Sequence, residues 1–225
     1  MTPRAELLET WARGYALVRG YERPRPVEEG LWMAVGKPDQ HGRYVVQGFD
    51  PAVIRGLAAR VDRPGIYLEI AAARERVMPL LGPGWTARER AWLMARALTA
   101  ADERPCPAGY VLRSTADGPV LGAEIRDRSG TVAASGTAGL VGDACVFDRI
   151  VTDDNHRRRG LGSAVMAALT RGAAEASASR GVLIATPDGR ALYGAIGWRV
   201  ETEITSAISS AALAPSQDKP GTSTS

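Results

Sequence analysis

The sequence predicts an α/β protein built on a mixed sheet, and three observations carry that expectation. Strand patterns alternate with stretches of helical periodicity along the chain. Alternating runs around a Ser129-Gly130 turn signal antiparallel hairpin pairing. A nearly all-apolar run, Val182 to Thr186, sits between two helical segments and reads as a strand buried on both faces. At 225 residues the chain has room for one large domain or two small ones.

Taken in order, residues 3–19 are expected to form an amphipathic helix, with Leu7, Leu8, Trp11, Tyr15, Ala16 and Val18 at helical spacing. Pro24 and Pro26 then break the chain. Residues 31–35 and 43–47 read as two strands joined by a polar turn. Asp50 is placed to cap a helix over 51–61, with Pro51 at its first position and Val53, Ile54 and Leu57 on one face. A strand at 66–70, a short helix at 72–81 and a Gly82-Pro83-Gly84 turn follow. The segment 89–98 is undecided, since its Ala, Glu and Arg favour helix while Trp92 and Met94 suit a strand.

Residues 99–109 read as a linker. Beyond it, 120–126 and 131–140 form the hairpin, and 144–151 is a third strand. Residues 160–177 should be a helix with Leu161, Ala164, Val165, Ala168 and Leu169 on one face, closed by Gly181. After the buried strand come a short helix at 191–196 and a strand alternating Trp198, Val200, Thr202 and Ile204 on one face. Residues 212–225, rich in Ser, Thr, Pro and Ala, read as a disordered tail.

Apolar residues make up 45% and charged residues 24%, the balance of a folded globular protein. No run approaches the ~18 apolar residues of a membrane-crossing helix, and the acidic, h-region-free start is not a signal peptide. Two cysteines, Cys106 and Cys145, make neither a disulfide framework nor a zinc site. A cytoplasmic protein without metal or membrane partner is therefore expected. Lys37 and Lys219 are the only lysines among 28 basic residues, and the surplus of Ala, Gly and Arg looks like the coding bias of a GC-rich genome.

One basic cluster stands out: Asn155-His156-Arg157-Arg158-Arg159-Gly160-Leu161-Gly162-Ser163, between a strand and a helix start. Unpaired amides and the positive end of a helix dipole favour a phosphate there. The glycines admit close backbone approach, and arginines add charge-assisted bonds. The dinucleotide fingerprint fails because Val165 stands where a third glycine is needed, and a P-loop fails for want of a lysine.

What remains, Arg157-x-x-Gly160-x-Gly162 after a strand, resembles motif A of the GNAT acetyltransferase superfamily, with Asp153 where the family's lead-in has proline. Downstream, Ala191-Leu192-Tyr193 leading to Gly197-Trp198 is similar to the family's Tyr and Gly-Phe element. The resemblance implies the GNAT acyl-CoA N-acyltransferase fold and acetyl-CoA, or another acyl-CoA, as co-substrate. It implies pantetheine on the backbone of Arg149, Ile150 and Val151. The pyrophosphate would sit on the amides of Arg158, Arg159, Gly160, Leu161, Gly162 and Ser163, with Arg157 beside it. Tyr193 would protonate the departing thiolate, and the Val151 amide would polarise the thioester carbonyl.

For the general base, Asp148 comes first, on the face expected to carry Val146 and Ile150, and Glu124 second; a water chain is the third option. His156 sits in the phosphate-facing loop and is disfavoured. The acceptor is a small-molecule or peptide amine, left unspecified, and a homodimer is compatible with the sequence. The Arg157–Arg159 cluster lacks the interleaved aromatics of a nucleic-acid surface. A non-catalytic acyl-CoA-binding protein is the alternative.

The order from 31 to 98 repeats that from 131 to 204 without the Arg-x-x-Gly-x-Gly motif. The expectation is therefore a degenerate GNAT-like N-terminal domain (1–104), a GNAT acetyltransferase domain (105–207) and a tail (208–225), with an unrelated α+β cap as the other reading of the first.

Overall fold

The alternating patterns fold into one twelve-stranded mixed sheet covered by helices on both faces. The computed structural model describes residues 3–99 and 104–210, so the tail expected beyond Ala212 and part of the expected linker lie outside the described residues. In chain order the elements are α1 (Pro3–Arg19), β1 (Arg25–Val27), β2 (Gly30–Lys37), β3 (Gln40–Val46), α2 (Pro51–Arg60), β4 (Ile66–Ile70), α3 (Arg74–Leu81), β5 (Trp85–Ala87) and β6 (Ala91–Ala97). The C-terminal half adds β7 (Tyr110–Asp117), β8 (Val120–Asp127), β9 (Val132–Val141), β10 (Ala144–Thr152), α4 (Leu161–Glu175), β11 (Arg180–Ala185), α5 (Pro187–Ala195) and β12 (Arg199–Ser209). The spatial order is β1-β2-β3-β4-β12-β6-β11-β10-β9-β8-β7, with β5 also on β12.

The two halves are wired alike. In each, an antiparallel pair (β2–β3, β9–β10) is followed by a helix and a strand parallel to the second member (β4 on β3, β11 on β10). A further helix and a closing strand complete each series. The closing strands are exchanged: β6, from the N-terminal half, pairs with β11, while β12 pairs with β4. β6 and β12 also pair with each other, so the halves share one seam.

α1 covers that seam. Its buried Leu8, Trp11 and Tyr15 meet Met33 and Val45 from one half and Val146 and Val182 from the other. Gly14 allows the close approach, since a Cβ there would overlap the Val146 side chain. On the opposite sheet face, α2 and α3 enclose Ile54, Leu57, Leu68 and Val77, and α4 and α5 enclose Phe147, Leu161, Val165 and Leu183. Burying each such side chain contributes about 1.5–3 kcal/mol. Among the described residues no helix is long and apolar enough to cross a membrane.

The differences from expectation have physical causes. Segment 89–98 is the strand β6, because Leu93 and Met94 must be buried on opposite faces between β12 and β11. Pro26 lies inside β1, a three-residue margin strand, where a missing N–H is tolerated. Val53 is exposed; Ile54, Leu57 and Ala58 form the buried stripe of α2. Gly181 does not end α4 but lies within β11, where a Cβ would come 2.7 Å from Trp198. The alternation expected from Trp198 fails at a register shift between Val200 and Thr202, which leaves Val200 exposed. β12 continues through Ile208 to Ser209, two residues into the expected tail.

Candidate functional site

The site begins where two parallel strands part. β10 pairs with β11 only over Ala144–Val146 and Arg180–Val182, although both strands run on. Past Asp148 a bulge interrupts the β9–β10 ladder, and Arg149 takes φ +54. Residues 149–151 therefore turn an unpaired edge toward the gap. The bulge also breaks the expected alternation: Asp148 stays on the α1 face with Val146, but Ile150 crosses to the α4 face, where its Cδ1 would lie 2.5 Å from a Cβ on Gly136. Val151 is solvent-exposed.

The loop beyond β10 leads into the positive end of α4. Asp153 caps a single 3-10 turn, Asp154–His156, by accepting from the Asn155 amide at 2.9 Å. Arg158 at φ +61 and Gly160 at φ +79 then curl the backbone into a concave run of amides. No side chain caps α4, so its first amides are left for a ligand or water. Gly162 faces α5, where a Cβ would meet Leu192 at 3.1 Å and Thr152 Oγ1 at 3.5 Å.

The three arginines differ. Arg157 Nη2 pairs with Asp154 Oδ1 at 2.7 Å. Arg159 donates from Nη1 to the Tyr110 hydroxyl at 2.9 Å and from Nη2 to the Asn155 carbonyl at 3.1 Å. Arg158 has no bonding partner among the described residues and is exposed. His156 is turned away from the amides, with Nδ1 2.9 Å from the Tyr110 hydroxyl and Nε2 3.7 Å from Asp127. It ties the loop to β7 and β8.

Tyr193, on α5, is buried against Trp198 and Gly189. Burial, and secondarily the charge of Asp148, pushes its hydroxyl up to about 12. Asp148 itself accepts two bonds from Arg19, Nε to Oδ2 at 2.7 Å and Nη2 to Oδ1 at 3.2 Å. Arg19 in turn lies over the Tyr15 ring. Glu124 accepts from Arg126 Nε at 2.6 Å and sits two strands and two pairing rows away from Asp148, on the same face. Cys145 is a buried strand residue whose thiol burial pushes up to about 12. Among the described residues no His, Cys, Asp and Glu side chains gather as a metal-binding set.

The motif residues thus converge on the gap and the helix start, while Arg159 and His156 brace the loop from behind. Sequence reasoning missed Arg19, Tyr110 and Asp127. Arg19 had a signal only as the last residue of an amphipathic helix; Tyr110 and Asp127 had none.

The corresponding place in the N-terminal half is closed. β3 and β4 stay paired over five residues, Gly42–Val46 with Ile66–Ile70, without a bulge. Asp50 Oδ1 accepts from the amides of Ala52 and Val53 at 2.8 and 3.4 Å, and Pro51 has no N–H to offer.

The model of the family described as FR47-like protein matches residues 140–206. Among solved structures, a GCN5-related N-acetyltransferase from Kribbella flavida aligns with TM-score 0.66 and 18% identity, over 93% of this chain and 96% of that one. A tandem GNAT protein from the clavulanic acid biosynthesis pathway, without AcCoA, aligns at TM-score 0.53 and 14% identity, covering 72% and 68%. A GCN5-related N-acetyltransferase-like protein from Streptococcus suis aligns at 0.52 and 11%, covering 80% and 83%. No curated protein matches the chain. With the parted strands and the uncapped helix on one continuous sheet, the chain has the fold of the GNAT N-acetyltransferase structures, and its residues 140–206 match the FR47-like family.

Proposed function

We propose that the chain is an N-acyltransferase that uses acetyl-CoA, or a related acyl-CoA, as co-substrate and acylates the amine of a small molecule or peptide. The observation that carries this reading is the parting of β10 from β11 in front of the uncapped start of α4. An extended chain of amides fits the unpaired edge at 149–151, and a pyrophosphate fits the amides of 158–163. Arg158 supplies the free charge, and Arg157 can leave its exposed partner for the ligand.

In the reaction, the amine nitrogen attacks the thioester carbonyl while a backbone amide of the unpaired β10 edge stabilises the oxyanion. The register with β9 turns the expected Val151 amide toward Ser135 instead. The tetrahedral intermediate then expels the thiolate. Its nitrogen must lose a proton and the sulfur must gain one. A phenol pushed up to about 12 is a weak acid toward a thiolate, so Tyr193 works as a relay. It gives its proton to sulfur as it receives the one leaving nitrogen. The products are an amide and free coenzyme A, with Tyr193 unchanged. Asp148 is a base only when Arg19 lets go, since both of its oxygens are bound. We assign it to keeping Tyr193 protonated, and Glu124 to the rim of the acceptor face.

The two halves are proposed to be GNAT-like repeats, with residues up to 104 serving as a degenerate half and those from 105 carrying the chemistry. Asp50 and the zipped β3–β4 pair support one donor per chain. The second reading is a non-catalytic acyl-CoA-binding protein, favoured by the Arg19 hold on Asp148. Thiol release from acetyl-CoA over a panel of amines, amino acids, aminoglycosides and peptides tests the proposal. Tight coenzyme A binding without thiol release from any of them would favour the second reading.

A further inference from the structure

The sheet ends in two very different margins. β1 is three residues long and contains Pro26, both of which discourage pairing with another chain. β7 is eight residues long, has no proline, and pairs with β8 in unbroken register from Tyr110 with Asp127 to Asp117 with Val120. No described strand covers its outer side. Val111 is 60% exposed, and Arg113, Thr115 and Asp117, on the same face, are exposed with it. An unprotected, regular margin of this length is a template for a further strand.

We propose that β7 pairs antiparallel with β7 of a second copy of this chain, about a twofold axis at Thr115. Symmetry and charge select that axis. A twofold that continues a sheet stands perpendicular to it, so facing residues share a face, and the axis passes through a residue, never between two. At 113 it would set Arg113 against the partner's Arg113. At 114 it would set Arg113 opposite the partner's Thr115 and Val111 opposite the partner's Asp117, which leaves both charges unmatched. At 115, Arg113 faces the partner's Asp117 twice over, and Thr115 faces the partner's Thr115. Opposite charges and Thr–Thr are favourable cross-strand pairs, and like charges are unfavourable.

The pairing also extends a functional face. Thr115 shares its row with Gly122, Thr137 and Asp148, and Arg113 shares its row with Glu124, Ser135 and Val151. The partner's Asp117 ends the second row beside Arg113. Both Asp148 carboxylates then look to the same side of one continuous sheet, seven strand spacings or about 34 Å apart. The inference rests on the sheet margin alone and stands or falls independently of acyl transfer.

Sedimentation of the full chain over a concentration series should show a monomer–dimer equilibrium. Arg113→Asp sets acid against acid at both ends of the interface and should weaken association about tenfold or more. The double variant Arg113→Asp with Asp117→Arg should restore it to within about threefold, because the same pairs reform with signs reversed. Oxidised Thr115→Cys chains should cross-link through position 115, mapped by mass spectrometry against the parent chain with its own Cys106 and Cys145. That readout does not depend on the charge variants folding. A chain that stays monomeric up to its solubility limit overturns the proposal. So does a dimer insensitive to both charge variants, or one that cross-links nowhere near position 115, including a case where only an added peptide binds β7.

Discussion

Replacing Arg158 with alanine should weaken coenzyme A binding more than the same change at Arg157 or Arg159. Among the described residues Arg158 has no partner to give up, which leaves its guanidinium available to a phosphate oxygen. A hydrogen bond to a charged group contributes about 1.5–3 kcal/mol net. That converts to about 10- to 150-fold in Kd. Exposure puts the effect near the lower end, and it should shrink further as salt is added. Alanine keeps the Cβ at φ +61, so the backbone strain is unchanged by the substitution. Arg157 must leave Asp154, an exposed pair worth under about 1 kcal/mol, so Arg157→Ala should fall in between. Arg159 is spent on Tyr110 and Asn155, and its loss should appear chiefly as a lower melting temperature. Titration calorimetry of the four proteins with coenzyme A, at low and raised salt, measures the ranking. Equal losses at all three positions, or a larger loss at Arg159 than at Arg158, would refute the assignment of the anion site.

Gly162→Leu drives a side chain into Leu192 and across the mouth of the gap, and should abolish the rise in melting temperature that acetyl-CoA gives the parent chain. Tyr193→Phe should lower turnover about 100-fold or more with donor affinity unchanged; an unaffected rate would reduce Tyr193 to a packing residue. Because folding raises the Tyr193 pKa from about 10 to about 12, its contribution to stability is complete below pH 10 and is lost as pH rises through 12. Denaturant midpoints should therefore fall more steeply over that window in the parent chain than in Tyr193→Phe. Asp50→Ala removes the cap of α2 and should cost about 1 kcal/mol, or roughly 2–4 °C in melting temperature. Donor stoichiometry measured by calorimetry should stay at one per chain; a second equivalent would show that Asp50 alone kept the N-terminal half closed.

Much of the candidate site's backbone was legible because its geometry is local. A strand, a loop with glycine where φ is positive, and a helix start without a capping side chain are all written within fifteen residues around Gly160. The Asp50 cap was equally readable, and for the same reason. What local pattern could not supply was anything set by partners far along the chain. Segment 89–98 carries helix-forming residues and becomes a strand only because β11 and β12 flank it. The bulge that turns Ile150 away from Asp148 has no residue signature, since Arg149 is an ordinary side chain held at φ +54. Arg19 reaches Asp148 across 129 positions of sequence. Its guanidinium changes what that carboxylate can do, and no spacing rule connects the two.

The exchange of closing strands has a consequence for how the protein is made. β4 emerges early in synthesis, yet the strand that completes its hydrogen bonding, β12, is the last described element to appear. Until then β4 exposes one open margin with Leu68 and Ile70 beside it. Contacts this distant in sequence slow folding, because the loop must close before the contacts can contribute. The two halves therefore cannot mature one after the other on the ribosome, as independent modules do. They should fold as one cooperative unit, with a single calorimetric transition, and a premature stop before Arg199 should leave the early half as aggregation-prone as the late one.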